Sequence, residues 1–271
     1  EGHPNAIAEC LQCGTGFMSS NTGYIAEILS NDYPEFFFDS FEPVAIATSL
    51  IALIKMTNKE IKYRDAFNEL QSHCSKSYNK TKKEDMNIEN IVAVGLHDVL
   101  GDIHDSITTP VKVFDDFVKH VAKKGYGLCS MHEYIQKSKE ERRQWIVCTF
   151  DDGYKSLTNE AYKILKRYDF SATVFICTDL IGCDNTWNNK DAVLRKHLNV
   201  DDIQKLKDAG WEIASHGVLH KNLLKLSDPE IEYELSESKK RLENLIGYCE
   251  SYAYPYGAYN KYIRDVWRSI T

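Results

Sequence analysis

From residue 91 onward, short apolar runs of strand length alternate with longer stretches of helical periodicity. This alternation constrains the fold more than any other feature of the chain. Strands are expected at 91–96, 127–129, 145–150, 172–177, 211–215 and 251–254, and helices at 113–124, 159–168, 202–209 and 229–246. Strands and helices alternating at these lengths predict an α/β fold, a parallel sheet covered by helices, as an open sheet or a barrel. No internal repeat is visible.

The first part of the chain reads differently. Residues 1–75 alternate helix with short strands, among them an apolar strand at 36–38 and an amphipathic helix at 44–56 after Pro43. A polar stretch with almost no apolar residue follows, so the domain boundary is placed at 76–90, leaving 91–271 as the second domain. A length of 271 residues suits two domains or one large one. The chain begins at Glu1 without a Met and ends at Thr271 inside a helical stretch. It is therefore expected to be a piece of a longer protein.

Charge and composition exclude several classes. With 33 basic and 40 acidic side chains the net charge is −7, which offers no general basic field for nucleic acid. No apolar run reaches the roughly 18 residues of a membrane span. The eight cysteines are too sparse for a disulfide scaffold, and Cys148 and Cys177 lie inside strand-like runs, which predicts buried free thiols in a reducing compartment. Cys10 and Cys13 have redox or zinc spacing, but no second such pair follows. A cytoplasmic location, at most peripheral to a membrane, is the expectation.

Three polar clusters fall at the ends of expected strands. Asp151-Asp152-Gly153 follows 145–150, His216-Gly-Val-Leu-His220 follows 211–215, and Pro255-Tyr256-Gly257 follows 251–254. In parallel β/α folds catalytic groups gather at the carboxyl ends of the strands, so the three can share one pocket. On a helical turn His216 and His220 would project from one side, and a carboxylate from another strand would complete a three-ligand metal site with open positions. Such a site suits hydrolysis. Two neighbouring carboxylates repel, and a bound cation would settle them while leaving one free as a base. Taken singly, the histidine pair also fits a loop cap and the aspartate pair a solvated turn.

Together the segments Thr149-Phe-Asp-Asp-Gly-Tyr154, Ser215-His-Gly-Val-Leu-His220 and Tyr254-Pro-Tyr-Gly257, with Leu96-His-Asp-Val99 before them, resemble the polysaccharide deacetylases, the NodB-homology or family 4 carbohydrate esterases. The resemblance covers about residues 91–271. It implies a distorted β/α barrel, incomplete at its C-terminal end, and removal of acetyl groups from N-acetylated sugars. It implies that Asp152, His216 and His220 hold a divalent metal, commonly zinc. Asp151 would be the general base that deprotonates the attacking water, and the Tyr256 backbone N–H would help hold the oxyanion. Pro255, His97 and Asp98 would line the substrate pocket. Ala253 stands where many members have Arg, which points to a subgroup reading Ala-Tyr-Pro-Tyr-Gly. The general-acid histidine of the family should follow the Pro-Tyr-Gly segment, yet only 14 residues follow Gly257, so it is expected beyond Thr271.

The opening segment, with Glu1, Glu9, Cys13-Gly14 and Gly23-Tyr-Ile-Ala-Glu27, is similar to group 1 glycosyltransferases. The resemblance implies that Glu1 and Glu9 belong to a nucleotide-sugar site in a Rossmann-like domain of which only the tail is present. A nucleotide-sugar is then a partner of the complete protein alone. The reading is a fragment of a bifunctional enzyme that deacetylates a glycan. A non-catalytic carbohydrate-binding or scaffolding module and a small-amide metallohydrolase are the alternatives.

Overall fold

The computed structural model describes residues 19–20, 37–38, 47–48, 51–52, 92–101, 107–184 and 195–271. Strands β1 (Ser19–Ser20) and β2 (Phe37–Phe38) pair in parallel. The helical residues within 47–52 bury Ala47 and Ile51, and Ala47 joins the core of the rest of the chain. Glu1, Glu9, Cys10, Cys13 and the linker at 76–90 lie outside the described residues.

The main sheet is parallel throughout. Strands β3 (Ala93–Leu96), β7 (Trp145–Phe150), β8 (Thr173–Ile176) and β9 (Glu212–Ser215) follow one another across it. Strand β6 (Gly127–Cys129) pairs the first half of β7 and β8 the second half, both opposite β3. Strands β8 and β9 are buried at every residue, as a sheet covered on both faces requires. A second, two-stranded pair, β4 (Asp98–Val99) with β5 (Thr108–Thr109), extends from the end of β3; the apolar pattern did not signal it.

Two expected elements differ. The strand at 251–254 reduces to one parallel bridge between Tyr252 and Ser215. Pro255 removes a donor and fixes its φ, and Tyr256 turns into the left-handed region at φ 61°, so pairing cannot continue. The helix expected at 159–168 is two, α4 (Ser156–Asn159) and α5 (Ala161–Lys166), broken at Glu160 with φ −118° and ψ −69°. The remaining helices are α1 (Val111–Lys123), α2 (Met131–Gln136), α3 (Lys139–Arg142), α6 (Val200–Asp208), α7 (Asp228–Ile246) and α8 (Lys261–Ile270). Ser227 and Glu230 cap α7 reciprocally, as Asn199 and Asp202 cap α6, which satisfies donors that each helix start leaves unpaired. Among the described cysteines, Cys129, Cys148, Cys177 and Cys249 are buried free thiols, and Cys183 is free and exposed.

Beneath the sheet, at the start of β9, Glu212 is buried and fully partnered. Its Oε2 accepts from the His132 N–H and the Thr173 hydroxyl, both at 2.8 Å, and its Oε1 from the Ser251 hydroxyl at 2.6 Å. One side chain thus ties the first turn of α2 to β8, β9 and the chain after α7. Truncation would strand these donors in the interior, so Glu212→Ala is expected to cost about 3 kcal/mol of stability. A urea midpoint equal to wild type would contradict this.

Candidate active site

The site forms where β7 and β9 stop. After Phe150 the chain turns sharply: the Asp151 N–H donates to Leu96 O, and the Gly153 N–H folds back to Asp151 O at 2.9 Å. Asp152, between them, sits at φ 66°. The turn separates the two carboxylates that a continuing strand would have pointed to opposite faces. Among the described residues four non-glycine residues have positive φ, and Asp152, His220 and Tyr256 are three of them. Backbone strain is therefore concentrated at this site.

His216 and His220 reach the same place from β9. They do not lie on a helical turn, as their spacing suggested, because residues 216–220 form a loop. The loop is held in that shape by bonds to its neighbours in the fold. The Thr178 and Asp179 N–H groups donate to Gly217 O and Val218 O, and Glu234 Oε2 accepts from the Val218 and Leu219 N–H groups at 2.6 and 3.1 Å. With its backbone groups committed there, the segment cannot close helical i→i−4 bonds.

The three side chains converge. Asp152 Oδ1 lies 3.6 Å from His216 Nε2 and 3.3 Å from His220 Nε2, and one ligand atom from each falls within 4.8 Å of the others. Asp152 and His216 are buried, and Asp152 Oδ1 has no hydrogen-bond partner. His216 Nδ1 is 2.8 Å from Ala253 O, a bond that requires the proton on Nδ1 and leaves the Nε2 lone pair facing Asp152. Burial, and then the neighbouring His216, push the His220 pKa down to about 4, so its ring is neutral at pH 7. An orphaned buried carboxylate oxygen and two imidazole Nε2 atoms are the donor set of a divalent cation such as zinc. The residues present fit one.

Asp151 stands beside this cluster and outside it. It is half-buried, and its pKa is raised, chiefly by burial, with opposing pulls from His216 and His97. His97, just past β3, therefore lies within electrostatic reach of Asp151 and also of His220. Tyr256 is 60 % exposed, and its ring meets the His220 ring edge-on at 4.7 Å, with Pro255 buried beside it. Asp98 is fully buried and occupied: its Oδ2 pairs with Arg195 Nε at 2.7 Å, and the Ser156 hydroxyl donates to its Oδ1. It braces the wall of the site.

Four further residues were given no role by the sequence reading. His197 Nδ1 lies 2.8 Å from Asp152 O, and the buried Tyr154 ring stacks on His197 at 5.1 Å. Burial and the Asp152 charge push the Tyr154 hydroxyl pKa up. Arg195 is the buried partner of Asp98. Glu234 carried a legible signal, because it is a charged residue on the buried stripe of α7 with Ile231, Leu235, Ser238 and Leu242.

Fold and site together define a class: a parallel α/β domain whose strand-end cluster could hold a divalent cation. Residues 138–271 match the family described as polysaccharide deacetylase. The match begins after β6, although β3 belongs to the same sheet. The chain is 31 % identical over 160 residues to the poly-beta-1,6-N-acetyl-D-glucosamine N-deacetylase of Staphylococcus aureus, covering 54 % of this chain and 53 % of that protein. It spans about half the length of the curated relatives it matches. Among solved structures, the Streptococcus pyogenes deacetylase PplD in complex with acetate is 25 % identical, with a TM-score of 0.57 over 66 % of this chain and 80 % of that one. A de-N-acetylase from Aggregatibacter actinomycetemcomitans shares the fold at 20 % identity, with a TM-score of 0.56 over 66 % of this chain and 84 % of that one. Among the described residues no helix is long and apolar enough to cross a membrane.

Proposed function

We propose that this chain hydrolyses N-acetyl groups on a glycan, with a polymer of N-acetylglucosamine as the first substrate class to test. The observation that carries the reading is the buried Asp152–His216–His220 cluster, with its unpartnered carboxylate oxygen, beside Asp151 inside the matched segment. A divalent cation held by those three residues, zinc being the expected one, would supply Lewis acidity to the acetamide oxygen and make water more acidic. Asp151 takes the proton from the attacking water, and its raised pKa makes it a stronger base than a solvated carboxylate. The Tyr256 N–H receives the negative charge that develops on the carbonyl oxygen. His97 gives a proton to the departing nitrogen as the C–N bond breaks, leaving acetate and a free amine. Its reach to both Asp151 and His220 supports this assignment, and the histidine expected beyond Thr271 is the alternative donor. Asp98 supports this wall through Arg195, and Pro255 fixes the backbone that presents Tyr256.

Residues 1–75, read as the end of a group 1 glycosyltransferase, would set the deacetylase beside the enzyme that adds the sugars, with a nucleotide-sugar as donor in the complete protein. Closure of the sheet into a barrel belongs to the same proposal.

The test is amine release from a β-1,6-linked N-acetylglucosamine oligomer, alongside simple acetamides. Release from the oligomer, lost on chelation and restored by zinc, is expected. Binding of the oligomer with no release would mark a carbohydrate-binding module, and equal turnover of small acetamides an unspecialised amidase. His97→Ala should keep its metal and lose about 10²- to 10⁴-fold in rate. An unchanged rate would remove His97 from the mechanism.

A further inference from the structure

The loop between the two histidines is gripped from outside the cluster, and the grip centres on one carboxylate. Glu234 is 1 % exposed on α7, and a single oxygen, Oε2, accepts both the Val218 and Leu219 N–H groups. These are the second and third of the three residues separating His216 from His220. The contact is so close that a side chain at Gly217 would place its Cβ 2.9 Å from Glu234 Oε2 and 3.0 Å from the Tyr252 hydroxyl, at a φ of 85° that disfavours other residues. One turn further along α7, Ser238 secures the end of β9: its hydroxyl lies 2.7 Å from that of Ser215 and donates to Glu234 O. The Ser215 hydroxyl in turn accepts from the Gly217 N–H at 3.2 Å. Helix α7 thus holds both the strand that delivers His216 and the loop that delivers His220.

A buried carboxylate is costly unless its bonds to charged or polar partners are good, and a helix–loop contact could be made with apolar groups alone. Here the carboxylate is spent on two consecutive amides, which sets the path of the backbone between the two imidazoles. We propose that Glu234 is a positioning residue for the metal centre, fixing the separation of His216 and His220 without touching metal or substrate. The proposal rests on the reading of Asp152, His216 and His220 as ligands.

Its test uses Co2+, whose visible absorption reports ligand number and geometry, titrated into the whole chain and into two variants. Glu234→Asp keeps the charge but shortens the reach by one methylene. Glu234→Gln keeps the shape and one acceptor oxygen but loses the charge. Partners that orient metal ligands typically contribute about 10- to 100-fold in metal affinity. Glu234→Asp should fall in that range with an altered cobalt band, and Glu234→Gln should restore most of the affinity and the wild-type band shape. Circular dichroism establishes which variants are folded. Should only Glu234→Gln fold, a wild-type cobalt site in it, weakened by a few-fold, is the expected result. Wild-type affinity and spectrum in a folded Glu234→Asp, or no change of any kind in Glu234→Gln when it alone folds, overturns the proposal. A wild-type chain that takes up no cobalt overturns the ligand reading instead.

Discussion

Asp151→Asn is expected to keep its metal and its fold while losing about 10²- to 10⁴-fold in deacetylation rate, the range one general base contributes. The substitution is isosteric and leaves Asp152, His216 and His220 untouched. Their mutual approach is set by the turn at Asp152 and by the loop at 216–220, and neither uses the Asp151 side chain. The Asp151 N–H bond to Leu96 O is a backbone contact and survives. What disappears is the group able to accept a proton beside the cluster. Steady-state kinetics together with metal content by mass spectrometry decide the matter. A parallel fall in metal content would make Asp151 a ligand and pass the role of base to another group.

The second large effect is on the metal itself. Wild type should carry close to one divalent ion per chain, and His216→Ala close to none. The His216 ring is buried, oriented by Ala253 O and aimed at Asp152, and it is one of the three ligands of the metal-spaced group among the described residues. Stability should report the same loss. Zinc at 100 times its dissociation constant stabilises a folded chain by about 2.7 kcal/mol, and that metal-dependent rise in Tm should vanish in His216→Ala. Equal metal content, or an equal zinc-induced rise, in the variant would dismantle the site. The two variants separate the functions the cluster combines, since Asp151→Asn stops turnover with the ion retained and His216→Ala removes the ion.

Some of this protein was determined by local sequence. Strands at 127–129 and 145–150 match the structure residue for residue, and those at 172–177 and 211–215 to within a residue or so at each end. A run of apolar side chains has to be buried whatever surrounds it, so it announces a strand by itself. The candidate site residues were legible as a group for a related reason. Asp-Asp-Gly and the spaced histidines each sit where a strand ends, Pro-Tyr-Gly follows the single bridge at Tyr252, and in a parallel sheet such ends share one face. Other features were decided only by tertiary contact. The histidine spacing suited a helical turn, but Glu234, Thr178 and Asp179 take the backbone groups such a turn needs and draw out a loop instead. The strand expected at 251–254 stops at one bridge because Pro255 cannot donate and Tyr256 turns left-handed. Asp98 pairs with Arg195, 97 residues away. For the loop and for Asp98 the deciding partner is a polar group far along the chain, whereas Pro255 acts locally. Burial of apolar surface is non-directional and can be read residue by residue, whereas a hydrogen bond or ion pair needs a particular partner at a particular distance, which only the folded chain supplies.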